Sequence, residues 1–293
     1  MLLSRHTRRR EFIASLLLAS TIRRTRALQP GKIYRIAVVS AATSVADMHE
    51  NTAASHFGAF FRELRRLGHV EGQNLIVERH SGEGRTERFA ELVARVIQQQ
   101  PDVIFVASNN SIVLQFKEAT AVIPIIATMG DPVVSGLVAS LARPGANITG
   151  VSADAGIEVW GKRLELLKEV VPMASKVALL ASREYWLGPT GTMTREAATK
   201  MGMTFIGAPL EGTIRDAEYR RVFDAMAHER ADALVVGAES ETFANRELIV
   251  ALTKKHRMPA IYPFRALVEM GGLMAYAHDI DDNFRCRIRR PRS

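Results

Sequence analysis

Residues 33–40 read IYRIAVVS, and residues 56–68 read HFGAFFRELRRLG. The first is a short run rich in β-branched residues, which predicts a buried strand. The second places Phe57, Phe60, Phe61, Leu64 and Leu67 at spacings of three and four, the stripe of an amphipathic helix, with Gly68 as its C-cap. The same alternation continues outward. Strands are predicted over 74–78, 103–107, 125–128 and 148–151. A helix over 85–100 carries Phe89, Leu92, Val93, Val96 and Ile97 on one face and stops at Pro101. The rhythm then restarts. Helices are predicted over 160–171, 194–201, 217–228 and 244–256, and strands over 176–181, 204–206, 233–236, 259–262 and 272–276. Strand–helix alternation of this kind is the mark of an α/β protein with parallel sheets flanked by helices. Its interruption near residue 152 predicts two similar lobes.

The chain has 293 residues, 47% hydrophobic and 24% charged, the composition of an ordinary globular protein. That excludes a disordered chain and a disulfide scaffold, and the single cysteine, Cys286, cannot form an internal disulfide. The net charge of +8 suggests a nucleic-acid partner until its distribution is read. The excess lies in residues 1–26 and 284–293, and the body between them is slightly acidic, so nucleic-acid binding is not expected. Residues 1–31 have the layout of an export signal. Arg8-Arg9-Arg10 precedes an apolar run, Ile13 to Ile22, too short to span a membrane. Arg9-Arg10-Glu11-Phe12-Ile13 is similar to the twin-arginine motif. Export to the periplasm follows as an expectation, against which stand Arg23, Arg24 and Arg26 after the apolar run.

The chemistry-bearing motifs are mostly missing. Residues 156–163, GIEVWGKR, approach a P-loop but end in Arg163 where a magnesium-binding hydroxyl is required, and they look like a helix face. No metal-ligand spacing, nucleophile elbow or dinucleotide fingerprint occurs, so neither metal, cofactor nor catalytic residue is expected. What remains is a set of small polar residues after the strands. They are Ser40-Ala41, Ser108-Asn109-Asn110, Thr128 with Asp131, Ser182 to Trp186, and Gly237 to Glu241. In parallel α/β sheets ligands bind beyond the carboxyl ends of the strands. Each such residue also suits a helix cap. Asp131 and Glu239 could take an ammonium group.

Residues 131–150, DPVVSGLVASLARPGANITG, resemble a signature of ABC-transporter substrate-binding proteins, which have the type 1 periplasmic binding protein fold. FREL at 61–64 with GHVEGQN at 68–74, and LELLK at 164–168 with Val171-Pro172, agree with it. The resemblance implies two Rossmann-like lobes, 32–152 and 153–283, joined by hinge segments and closing on a small amino-acid-like ligand that is passed to a membrane permease without chemistry. Aromatic amino acids are a plausible case. Carried over by position, the ligand contacts are Ser40, Ala41, Ser108, Asn109, Asn110, Thr128 and Asp131 in the first lobe, and Tyr185, Glu239 and Tyr262 in the second. After Phe284 the sequence departs from the family pattern into the basic tail 284–293. This reads as a C-terminally truncated member, with reduced stability expected. Three other readings stay open: a truncated copy that folds poorly, a sensor, or an enzyme such as a racemase or transferase on the same fold.

Overall fold

A computed structural model describes residues 32–52, 55–107, 110–133, 135–140, 145, 147–152, 158–212 and 214–277. The export-signal segment, the basic tail, Ser108 and Asn109 lie outside the described residues.

Among the described residues ten strands form two sheets of five, every pair parallel. The first sheet contains β1 (Tyr34–Ser40), β2 (Leu75–Ser81), β3 (Val103–Ala107), β4 (Ile125–Met129) and β5 (Ile148–Ser152), in the order β2-β1-β3-β4-β5. The second contains β6 (Lys176–Leu180), β7 (Thr204–Ile206), β8 (Ala233–Val236), β9 (Ala260–Tyr262) and β10 (Met274–Ala275), in the order β10-β9-β8-β6-β7. Read from the second strand of each lobe, both orders are 2-1-3-4-5. The two halves therefore repeat one topology.

The reason is visible in β1. Successive side chains of a strand point to opposite faces. Ala37 and Val39 join a core with Phe89, Leu92, Val93 and Val96 of α2 (Phe89–Gln98) and Ile112, Val113 and Phe116 of α3 (Asn110–Ala119). Ile36 and Val38 point the other way, into a core with Phe57, Phe60, Phe61 and Leu64 of α1 (Ser55–Arg66). A run apolar at every position thus feeds two cores at once. The second lobe does the same. Ala178 and Leu180 of β6 pack with Tyr219, Val222, Phe223 and Met226 of α7 (Asp216–His228), and Val177 and Leu179 pack with Trp160, Leu164 and Leu167 of α4 (Glu158–Val170). Each fully buried side chain of this size contributes about 1.5–3 kcal/mol.

Register is tied at the other end of each sheet by an aspartate. Asp102 accepts from the Arg35 amide at 2.9 Å, joining the start of β1 to β3. Asp232 accepts from the Ser175 and Lys176 amides, each at 2.8 Å, and joins β6 to β8. Those amide donors hold the Asp232 carboxyl below its ordinary pKa.

Local departures from the sequence reading have physical causes. The helix predicted over 85–100 begins as a 3-10 turn, Thr86–Arg88, before α2. The helix predicted over 244–256 is α9 (Arg246–Lys255), and a separate short helix, α8 (Ser240–Ala244), ends just before it at Asn245. Residues 183–187 form α5 (Arg183–Leu187), which at five residues is too short for an apolar period to reveal it. Next to it α6 runs from Pro189 to Lys200 rather than starting at Thr194, because Pro189 opens its first turn. A tenth helix, α10 (Arg265–Glu269), follows β9. Of the near-P-loop stretch, Glu158 to Arg163 belong to α4 and the two residues before them lie outside the described residues: Trp160 is buried, and the buried Arg163 stacks 4.3 Å from its ring centre while its Nε donates to the Tyr276 carbonyl. Gly68, expected as a C-cap, has φ +88° and follows α1 as that role requires.

Phe105 at the centre of β3 stacks on Phe60 with ring centres 4.2 Å apart. Phe105→Ala is expected to cost about 3–5 kcal/mol, read as a lower urea midpoint with intact baseline slopes.

Candidate ligand-binding cleft

In a 2-1-3-4-5 sheet the crossovers leave β1 and β3 in opposite directions, and a crevice opens beyond their carboxyl ends. Here those ends are Ser40-Ala41 and Ala107 in the first lobe, and Ala181-Ser182 and Gly237–Glu239 in the second.

The first-lobe side of the crevice is built on Ser40. Its hydroxyl accepts from the amides of Ala42 and Thr43, at 3.3 and 2.9 Å, and holds the loop after β1. The loop after β2 folds back over it. The Gly82 amide donates to the Ser40 carbonyl and the Gly84 amide to the Ala41 carbonyl, at 2.9 and 2.8 Å. Gly84, with φ +68°, is thereby pushed forward against the second lobe. A β-carbon there would collide with the Cβ of Ala244. Thr86, in the turn that follows, lies near enough to the Glu241 carboxyl of the other lobe to favour its ionised form. The lobes therefore meet at Gly84–Ala244, with Thr86 near Glu241 beside it. Beside this contact lies an open cavity of about 430 Å³, lined from one lobe by Glu83, Gly84 and Arg85 and from the other by Arg215, Asp216 and Asn245.

The other predicted first-lobe residues are held just as closely. Asn110, at the start of α3, accepts from the Gly130 amide at 2.8 Å and donates to the Ser135 hydroxyl, so it ties the loops after β3 and β4 together. Asp131 accepts from the Val133 amide at 2.9 Å in the turn after β4. Ala41 and Thr128 are buried.

In the second lobe the organising group is Glu239. Its carboxylate takes the Ser182 amide at 2.8 Å and the Ser182 hydroxyl, which in turn receives the Tyr185 amide at 3.2 Å. This joins the loops after β6 and β8 across the crevice floor. Withdrawal from water pushes Glu239 up to about 7 despite both Ser182 bonds, with Glu241 and Glu184 adding repulsion. Burial raises Glu241 as well. The Tyr185 ring packs edge-on against Trp160, at 5.7 Å. Tyr262 is fully buried in the lobe core and its hydroxyl is 2.8 Å from the Thr253 hydroxyl. The structure thus brings Ser40, Asn110, Asp131, Tyr185 and Glu239 to the loops at the strand ends, and turns the Tyr262 side chain inward.

Sequence reading overlooked the β2 loop, Gly82 to Thr86, whose only signal was glycine spacing. It also overlooked Phe243, which meets Phe264 edge-to-face at 5.2 Å with the Arg246 guanidinium 4.9 Å from its ring centre. These half-buried aromatic rings stand after β8 and β9. Among the described residues no group of His, Cys, Asp and Glu is arranged to hold a metal, and no helix is long and apolar enough to cross a membrane.

Two mirrored 2-1-3-4-5 sheets with a crevice between them are the architecture of a two-lobed binding protein. Residues 45–283 match the family described as ABC transporter substrate binding protein, and the chain belongs to that family. A 122-residue stretch, 41% of this chain and 34% of its counterpart, is 31% identical to a tyrosine-binding protein of Clostridioides difficile (strain R20291). The fold is that of the type 1 periplasmic binding proteins. It is similar to a conserved domain protein from Vibrio cholerae O1 biovar El Tor strain N16961, with a TM-score of 0.73, 20% identity, and 86% of this chain and 81% of that one covered. It is equally similar to the ABC domain from Streptococcus pneumonia in complex with L-Trp, with a TM-score of 0.72, 20% identity, and 86% and 81% covered.

Two outcomes test this geometry. Gly84→Val adds a wedge at the lobe contact and a strained left-handed residue. It should leave the far-UV spectrum unchanged and give a small-angle scattering profile more extended than wild type. Glu239 has a folded pKa above its ordinary one, so its contribution to stability is complete below the ordinary value of 4.5 and lost as pH rises through about 7. Wild type should therefore lose about 1–3 kcal/mol relative to Glu239→Gln between pH 5 and 8.5, measured by urea unfolding. Buried His80, pushed down by desolvation, acts in the opposite sense in both proteins and cancels in the comparison.

Proposed function

We propose that this protein is the extracytoplasmic receptor of an ABC importer. Two lobes, 32–152 and 153–283, close on a small amino-acid-like ligand and present it to a membrane permease, without catalysis. The observation that carries this reading is the pair of strand-end loop sets facing one another, with Gly84 of one lobe brought against Ala244 of the other. Loops held this firmly are suited to binding, because the donors and acceptors they present are ordered before the ligand arrives.

The ligand residues proposed are Ser40, Ala41, Ser108, Asn109, Asn110, Thr128 and Asp131 from the first lobe, and Tyr185, Glu239 and Tyr262 from the second. Their roles follow from their chemistry. A carboxylate on the ligand would sit at the amide donors opening α3, where Asn110 lies. An ammonium would sit by Glu239, whose burial leaves it short of positive charge. Ser40 and Asn110 position the loops, and Tyr262 supports the floor from the core. The Phe243–Phe264 pair offers an aromatic wall, in keeping with an aromatic amino acid. The names of two relatives, one a tyrosine-binding protein and one seen with L-Trp, support the same class. The basic-then-apolar layout of residues 1–31 supports export, with the twin-arginine route proposed from Arg9-Arg10.

The test is a thermal melt of the full chain with a panel of amino acids and small carboxylates. Ligand at 100 times its Kd adds about 2.7 kcal/mol. A shift with tyrosine, tryptophan or phenylalanine, abolished by Glu239→Ala, is the expected result. A cooperative melt that no amino acid shifts would overturn the reading.

A further inference from the structure

The lobe contact holds a carboxylate where a neutral group would be expected. Glu241 is 6% exposed and lies in the seam, beside the close approach of Gly84 to Ala244. Its own amide and, from the opposite lobe, Thr86 act to favour its ionised form, against burial. Acidic groups act on it from three sides, Glu87 on the turn across the seam, Glu184 on α5 and Glu239 on its own loop, while Arg215 and Asp216 line the adjoining cavity and Arg246 of α9 donates to the Phe243 carbonyl. From α7 comes the phenol of Tyr219, fully buried. Among the described residues none of these four carboxylates forms an ion pair with a lysine or arginine. The nearby arginines of the β2 loop are engaged elsewhere, Arg85 and Arg88 both with Glu83.

Separating the lobes would return Glu241 to water and remove Glu87 from it. Closing them withdraws it from water beside other negative charges, which favours the protonated acid. The open form then holds Glu241 ionised and the closed form holds it neutral, and the two differ by a proton.

We propose that closing the two lobes takes up a proton at Glu241, so that mild acid favours the closed form and mild alkali the open one. The sign follows from linkage. The closed-state pKa is raised above the open-state value, so the gain in closure is complete below the ordinary carboxylate range and lost as pH rises through the closed-state value. This inference rests on the two-lobed closing of the proposed receptor, but it needs no ligand to be tested.

The experiment uses the full chain with Cys286→Ser, Val122→Cys and Met173→Cys. The two new cysteines are at positions 85% and 89% exposed, one in each lobe. Spin labels there report the distribution of inter-lobe distances. In the ligand-free protein, the ratio of closed to open populations should rise as pH falls from 8.5 to 5.5, by up to about tenfold per unit within the titration window. In Glu241→Gln the ratio should be high and flat. A flat series in the wild-type background overturns the proposal, whether or not the variant folds. A Glu241→Gln protein that keeps the wild-type slope overturns the assignment to Glu241. Binding of L-tyrosine and L-tryptophan is measured separately. A flat pH series with amino-acid binding intact removes the proton latch alone, and an intact slope without amino-acid binding removes the receptor reading alone.

Discussion

Everything in this molecule depends on strands that are apolar on both faces. In β1, Ala37 and Val39 are committed to one core and Ile36 and Val38 to the other, and β6 repeats the arrangement with Ala178, Leu180, Val177 and Leu179. A strand of that kind requires cover above and below, and parallel pairing supplies it through helical crossovers. Once the crossovers are set, the polar loops have only the ends of the sheet left to occupy. Asp102 and Asp232 tie one end of each sheet through backbone amides. The other end is left for recognition.

The recognition end is stiff because its polar groups are engaged with one another. Ser40 holds its own loop, Asn110 joins the loops after β3 and β4, and Glu239 joins those after β6 and β8. Residues that a sequence-based reading assigns to the ligand are therefore also the braces of the crevice. The two roles are compatible. A carboxylate receiving one amide and one hydroxyl retains acceptor capacity, and a side-chain amide that accepts one bond and donates another is fixed in orientation.

Arg85 and Arg215 line the cavity beside the seam, but the seam itself gathers carboxylates. Glu239, Glu241, Glu184 and Glu87 converge where the lobes meet, and burial raises the first two. A seam of this kind is completed by a proton or by a cation.

The sequence by itself determined the class of fold. The short β-branched runs and the three-four spacing of Phe57, Phe60, Phe61 and Leu64 are local patterns, and burial on two faces leaves them legible in the chain. Residues 131–150 carried the family in the same way. Helices with weak stripes were less legible: α5 is too short for an apolar period, the start of α6 shows little of one, and the break at Asn245 between α8 and α9 leaves no local mark. The crevice was legible only as a set of strand ends. Which polar side chains face inward, as Tyr262 does, and which brace a loop, as Asn110 does, depends on partners distant in sequence. The meeting of Gly84 with Ala244 joins positions more than 150 residues apart. No local pattern encodes such a meeting, because it arises from the relative placement of two separately packed lobes.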